Sequence, residues 1–301
     1  MNFANVRRNM FLKDAAGPTV RPRNSAYGED VRANGQVELL ADEDRPGGWL
    51  LLLDRVRQSY VDLEDPTYLE FPYVQALAEV IDALPPGPLD VVHVGGGAAT
   101  LARWVAATRP DSVQFIFEPH DELLRTVLAR LPLHPASTVT FRQQDGRRGL
   151  ADRPPARCDV VVVDAFSGGR VPADLTTTEF FAETARVLRT SGILLLNVTD
   201  GPPHNYSRRL IAALAEHFCE IVVFGMADTP VGNMVIAAAR AGQLPEVAVV
   251  DDGPLGGRPL ALSGSALDDF VQSVKPLTDS SPMRSPQPPD DTWRIGGEWV
   301  E

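Results

Sequence analysis

The middle of the chain alternates, unit after unit, between a short β-prone run and a stretch of helical spacing. "LDVVHV" precedes "AATLARWVAATRP", and "VQFIFE" precedes "DELLRTVLARL". "TVTFRQQ", "CDVVVVDA" and "ILLLNV" continue the series, with "TTTEFFAETARVLRTSG" and "NYSRRLIAALAEHF" as further helical stretches. Several of these runs are apolar almost without interruption, so both faces of each strand must be covered. That pattern predicts a parallel sheet with helices on both sides. "EIVVFGMA" and "GNMVIAAAR" are joined by a short Pro-containing loop with no helix between them, which predicts an antiparallel hairpin at one edge of the sheet.

Around this series the 301 residues divide readily. Residues 1–35 are polar and irregular and read as an N-terminal arm. Residues 36–64 read as a small β-hairpin domain, its strands joined by the turn-forming "DRPGG". Residues 65–240 hold the strand–helix series. They open with a helix after Pro66 that places Tyr73, Leu77, Val80, Ile81 and Leu84 on one face. The helix "TTTEFFAETARVLRTSG" is expected to end at Gly192. Residues 241–301 form a C-terminal extension with one short helix, "SALDDFVQSV", and a Pro-rich, tail-like end, "SPMRSPQPPDDT".

Formal net charge is −12, which argues against nucleic acid as a partner and favours a small, cationic ligand. The two cysteines, Cys158 and Cys219, exclude a disulfide framework and a thiolate metal cluster. Cys219 lies in an apolar stretch and reads as a core residue. The start lacks the apolar stretch of a signal peptide, and no apolar run approaches the roughly 20 residues of a membrane helix, so a cytoplasmic protein is expected.

In an open parallel sheet, ligands bind beyond the carboxyl ends of the strands. Four successive strand ends carry residues suited to a nucleoside. Gly95, Gly96 and Gly97 end the first strand and bring backbone N–H groups to a helix start. Glu118 ends the second, where a carboxylate can accept from both ribose hydroxyls. Asp145 and Gly146 end the third, and Asp164 ends the fourth. Each residue alone has a bland explanation as a turn or helix cap. Four in succession favour a nucleoside site. A dinucleotide fits less well, because Thr100 occupies the third glycine position of G-x-G-x-x-G. An adenosine carrying a sulfonium suits an acidic site.

The ordered segments "GGWLLLLDRVRQSYVDLEDPTYLEF", "VVHVGGGAATLARW", "FIFEPHDELL", "QQDGRRGL", "VVVDAFSGGRVPADLTTTEFF" and "GNMVIAAAR" resemble the spermidine synthase family, over roughly residues 37–240. The likeness is greatest to its divergent actinobacterial spermidine synthase-like branch. The resemblance implies an α/β, methyltransferase-like (Rossmann-like), mostly parallel seven-stranded sheet with an antiparallel edge hairpin, plus a small N-terminal β-domain. It further implies a homodimer, no metal, and aminopropyl transfer from decarboxylated S-adenosylmethionine to a small-molecule amine. By the same resemblance, Gln58 and Tyr68 match donor- and substrate-contacting positions. Glu70 matches the acid of a Tyr-His-Glu or Tyr-Gln-Glu motif, Gly95–Gly97 the nucleoside loop, Glu118 the ribose acid, Asp145 the adenine contact and Asp164 the catalytic aspartate.

The chemistry asks for such an aspartate independently. An alkyl amine is protonated near pH 7 and must lose a proton before it attacks the carbon beside a sulfonium. Three positions depart from the family pattern: Ala98 replaces the loop acid that holds the donor's amine, Ser167 replaces a second acid three residues after Asp164, and Leu69 fills the middle of the Tyr-x-Glu motif. Methyl transfer from S-adenosylmethionine and a non-catalytic nucleoside-binding protein are the alternatives. Among the remaining polar residues, His93 reads as a satisfied core histidine and His120 and His204 as structural. Asp200 is the best candidate in a substrate loop, and Arg147–Arg148 reads as a solvated helix face.

Overall fold

The computed structural model describes residues 36–225, 231–240, 242–245 and 262–287. The arm expected at 1–35 and the end of the chain beyond 287 lie outside these residues.

The first three strands, β1 (Val37–Ala41), β2 (Gly48–Leu53) and β3 (Val56–Asp62), form a small antiparallel sheet. Asp54 and Arg55 connect β2 to β3 with φ of 51° and 65°. A two-residue turn with both φ positive matches the right-handed twist of paired strands, so it closes a tight hairpin.

The main sheet contains β4 (Asp90–Val94), β5 (Val113–Phe117), β6 (Thr138–Arg142), β7 (Cys158–Val163), β8 (Leu188–Asp200), β9 (Glu220–Phe224) and β10 (Gly232–Ala239). Its order is β6-β5-β4-β7-β8-β10-β9. Strands β4 to β8 run parallel, whereas β10 is antiparallel to both β8 and β9. The fold is therefore the expected α/β sheet with an antiparallel edge hairpin and a separate small β-sheet. Consecutive strand residues face opposite sides, and both sides are buried. Val92, Val94, Val161 and Leu194 pack into one apolar cluster, and Val91, Val160, Val162 and Ile193 into the other. Helices α1 (Pro72–Asp82) and α2 (Thr100–Thr108) supply the second cluster, while α5 (Thr178–Val187) and α6 (Asn205–Leu214) supply the first. The shorter α4 (Gly146–Ala151) follows β6, α3 (Asp121–Arg130) lies against the small sheet, and α7 (Gly264–Val271) packs on α6.

Three local expectations are corrected. Helix α5 stops at Val187 rather than Gly192, because the buried Leu188 is already extended and pairs with Cys158. The 13-residue β8 begins there. Cys219 is exposed, since the turn after α6 sends Phe218 into the core in its place. The segment that reads as a tail is firmly packed up to residue 287: Leu277 and Ser285 are wholly buried. The Ser285 hydroxyl accepts from the Val171 N–H at 2.9 Å, and Arg147 forms an ion pair with Asp279 instead of facing solvent.

Candidate active site at the switch point of the sheet

After β4 the chain runs outward to β5 and β6, then returns to place β7 on the other side of β4. The strand-end loops diverge at this reversal and open a crevice between them. A cavity of about 510 Å³ lies there. Its wall brings together Gln58, Gly95–Gly97, Glu118, Asp145, Gly146 and Asp164.

The glycine loop is shaped by close approach. Gly95 has φ of 99°, and a Cβ there would lie 2.1 Å from the Asp164 carbonyl oxygen. Gly97 has φ of 44°, and a Cβ there would meet the Ser59 hydroxyl at 2.3 Å. Any side chain at either position would push the loop off β7 or off the small sheet. The Ser59 Oγ, from β3, also accepts from the Ala98 N–H at 3.1 Å. The Ala98 methyl is wholly buried among Val37, Leu51, Val61, Leu123, Val127 and Leu131. It points under the small sheet and does not line the cavity. An ionised acid buried at that position would cost several kcal/mol.

Glu118 is buried, with one carboxylate oxygen accepting from the Gly96 N–H at 2.9 Å and the other from the His120 N–H at 2.8 Å. Both oxygens retain lone pairs for a pair of hydroxyls. Asp145 caps α4 by accepting from the Arg148 N–H at 3.1 Å, which leaves its second oxygen free. A Cβ on Gly146 would lie 2.2 Å from a Val94 methyl, so α4 packs directly on β4. Ala99, in the left-handed conformation, caps α2 without a side-chain acceptor. The first N–H groups of that helix thus stay available beside the cavity.

Asp164 is half-buried across from this wall. The Asn197 amide donates to its Oδ1 at 2.9 Å, and the Asn233 amide donates to the Asn197 Oδ1 at 2.8 Å. The Tyr73 hydroxyl also donates to the Asp164 carboxylate. Burial pushes the carboxyl up to about 6, although the Asn197 and Tyr73 hydrogen bonds oppose the shift. Burial, with the Asp164 charge adding to it, drives the Tyr73 phenol well above its ordinary range. Tyr73 therefore stays a neutral donor.

Tyr73, Asn197 and Asn233 all line the cavity, and none is singled out as functional by sequence reasoning. Tyr73 reads as one more residue on the apolar face of α1. Asn197 is a lone amide in an otherwise apolar strand, which was a legible signal. Asn233 needs the register: β10 pairs Asn233 with Thr199 and Val235 with Asn197, so the two amides sit diagonally across neighbouring strands.

Tyr68 and Glu70 are not brought to the cavity. The Tyr68 hydroxyl donates to Glu70 Oε2 at 2.5 Å, and the Arg45 guanidinium stacks 3.6 Å from the Tyr68 ring centroid. Arg45 in turn pairs with Asp62 at 2.7 Å. The pair thus belongs to a polar network around the small sheet. A second Tyr-x-polar triplet, Tyr73-Val74-Gln75, follows five residues later and does reach the site.

The other polar residues have structural partners. His93 Nε2 meets Gln114 Oε1 at 2.9 Å, and burial lowers its pKa to about 4, so the ring is neutral. His120 Nδ1 caps α3 by accepting from the Leu123 N–H at 3.1 Å. Asp200 is buried and accepts from the Gly201 and Ser207 N–H groups at 2.9 and 2.8 Å. Its place is to order the entry to α6 rather than to meet a substrate. His204 packs against Phe270, away from the cavity.

No family model matches the chain. A polyamine aminopropyltransferase of Vibrio vulnificus is 28% identical over 144 residues, 46% of this chain and 46% of that protein. One of Chromobacterium violaceum is 27% identical over 152 residues, 48% of this chain and 55% of the relative. The chain thus spans about half the length of the curated relatives it matches. The crystal structure of a probable spermidine synthase from Corynebacterium glutamicum superposes with a TM-score of 0.73 at 26% identity, covering 81% of this chain and 92% of that one. Among the described residues, no helix is long and apolar enough to cross a membrane. In sequence and in fold, the chain is a member of the spermidine synthase-like proteins.

Proposed function

We propose that the chain transfers an aminopropyl group from decarboxylated S-adenosylmethionine to a small amine. The observation that carries this reading is the carboxylate of Asp164, held by Asn197 and Tyr73 across the cavity from the glycine loop and Glu118. Glu118 is assigned to the ribose hydroxyls, Asp145 to the adenine amino group, and Gln58, Gly95–Gly97 and Gly146 to the nucleoside walls. Asp164 draws in the acceptor's ammonium group and takes its proton. The freed nitrogen lone pair attacks the carbon beside the sulfonium, a C–N bond forms, and the C–S pair returns to sulfur. The sulfur leaves as the neutral thioether of methylthioadenosine, so no general acid is required. An ordinary carboxyl lies about six units below an alkylammonium, whereas one at about 6 lies roughly four units below it. The proton transfer is then about 3 kcal/mol less uphill.

Methyl transfer from S-adenosylmethionine is the second reading. It is favoured by Ala98, whose methyl sits in an apolar cluster and puts no carboxylate in the loop for a donor amine. Calorimetry with both donors separates the two. Tighter binding of the decarboxylated donor is expected, and Glu118→Ala should weaken it at least about tenfold, as for hydrogen bonds to a charged acceptor. Preference for the intact donor would move the assignment to methyl transfer. If neither donor binds, the nucleoside site itself is refuted. A cytoplasmic homodimer is the assembly that goes with this reading, and sedimentation tests the dimer.

A further inference from the structure

A second cavity, of about 360 Å³, adjoins the Asp164 cavity, with Ser167 and Pro172 lining both. Its cationic lining is Arg147, Arg170 and Arg284, and its acidic lining is Asp174 and Asp279. Asp279 is already engaged: both its carboxylate oxygens accept from Arg147, and one also accepts from the Thr177 hydroxyl. Asp174 is exposed at the rim. Arg170 makes only a 3.4 Å contact with the Gln287 amide oxygen. Arg284 is exposed and has no side-chain partner among the described residues. Two guanidinium groups thus stand beside the site with little to neutralise them, in a chain whose net charge is −12.

Their placement is built in. Ser167 and Arg170 pair across a two-residue turn, with backbone bonds of 2.8 and 3.2 Å in the two directions. Gly168 and Gly169 form that turn with φ of 59° and 74°, a conformation open to glycine at little cost. Residues directly opposite in such a pair project their side chains to the same face. The turn therefore sets Arg170 beside Ser167, three residues past Asp164. The buried Ser285 pins the strand after the turn through the Val171 N–H and neighbours Arg284 on the packed C-terminal strap. The wall just beyond Asp164 offers arginine where a diamine's far ammonium would need an acid.

Resting on the proposed transfer reaction, we infer that the acceptor is an amine that also carries a carboxylate. Its amine meets Asp164, and its carboxylate is received by Arg170 and Arg284. Guanidinium groups bind carboxylates with paired N–H donors and repel a second ammonium.

The test supplies the intact chain and its donor with two matched acceptor series of three to six carbons: ω-amino acids such as 4-aminobutanoate, and diamines such as 1,4-diaminobutane. At least a tenfold higher kcat/KM for the best ω-amino acid is expected. Arg170→Glu should lower that value at least tenfold and raise the value for the matched diamine. Arg284→Glu repeats the test at a second position should the turn variant not fold. Preference of the unaltered chain for the diamine overturns the inference, as does an unchanged preference in both variants. If neither series turns over, calorimetry of the ω-amino acids on the chain loaded with methylthioadenosine decides. Binding that is lost in Arg170→Glu sustains the inference, and no binding removes it. Donor binding is read separately, so failure here with a donor still bound leaves the proposed function standing.

Discussion

Two tyrosine–carboxylate pairs lie within a few residues of each other in the chain and serve different regions of the molecule. In the small sheet, Tyr68 donates to Glu70, and the pair is covered by the Arg45 guanidinium. At the switch point, Tyr73 donates to Asp164, with Asn197 as the second donor and no cation in the hydrogen-bonded set. The first carboxylate has a guanidinium and a phenol for company, and its charge is balanced where it stands. The second has only neutral donors and is pushed up to about 6. An uncompensated, half-buried carboxylate raises the free energy of the folded chain, and it is also the group able to attract and deprotonate a cationic amine. The same side-chain chemistry is structural in one setting and reactive in the other.

The largest effect expected is at Asp164. Asp164→Asn should lower kcat by about 10²–10⁴-fold, the range for loss of a positioned base, with donor binding retained. The same change should stabilise the fold at neutral pH. A folded carboxyl at about 6 against an ordinary value near 3.8 means that the folded chain holds the proton more tightly than the unfolded one. Wild-type stability thus declines as pH rises from about 4 to 6, and the penalty is complete above that, at most about 3 kcal/mol. Asp164→Asn should therefore raise Tm by several degrees at pH 7.5 and match the wild type near pH 4. A Tm at pH 7.5 equal to or below that of the wild type would place Asp164 among balanced charges like those of the small sheet.

Next in size is the pH dependence. Only the carboxylate form of Asp164 can take the proton, so kcat/KM should fall about tenfold per unit as pH drops below about 6. Tyr73→Phe removes a donor that favours the charged form. Its acid limb should move to higher pH by about one unit, worth about 1.4 kcal/mol, with about a tenfold loss of kcat. Asn197→Ala should move the limb the same way. A limb left in place by both variants would mean that the two hydrogen bonds do not govern this carboxyl.

How much of this was legible depends on what fixes each residue. The donor side of the cavity is carried by four consecutive β-strand ends, and the alternation of apolar runs and helices makes those ends readable. Gly95–Gly97, Glu118, Asp145 and Asp164 could all be found in this way. The Asp164 ladder was not readable, because each rung depends on something outside its local pattern. Tyr73 satisfies the helical periodicity of α1 as well as any core residue would. Asn233 meets Asn197 only through the register of an antiparallel strand inserted between β8 and β9. The packed strap at 275–287 is Pro- and Ser-rich, the composition of a tail. It is held by tertiary partners such as Val171, Thr177 and Arg209, which local composition does not record.

The smallest effects are expected at the pair in the small sheet, and there they discriminate most sharply. The resemblance allows the Tyr-x-Glu motif to be laid on Tyr68-Leu69-Glu70, whereas the cavity is reached by Tyr73-Val74-Gln75. Tyr68→Phe deletes one half-buried hydrogen bond and keeps the ring under Arg45, so it should cost about 0.5–1.5 kcal/mol of stability. Glu70→Gln keeps an acceptor for the phenol and should cost no more. Neither change touches the donors on Asp164, so both variants should keep kcat and KM within about twofold and leave the acid limb where it stands. Steady-state rates across pH 5–8 check this directly. A kcat loss beyond about tenfold in either variant, at full folding, would return the motif to residues 68–70. The small sheet would then have to bring Tyr68 to the acceptor.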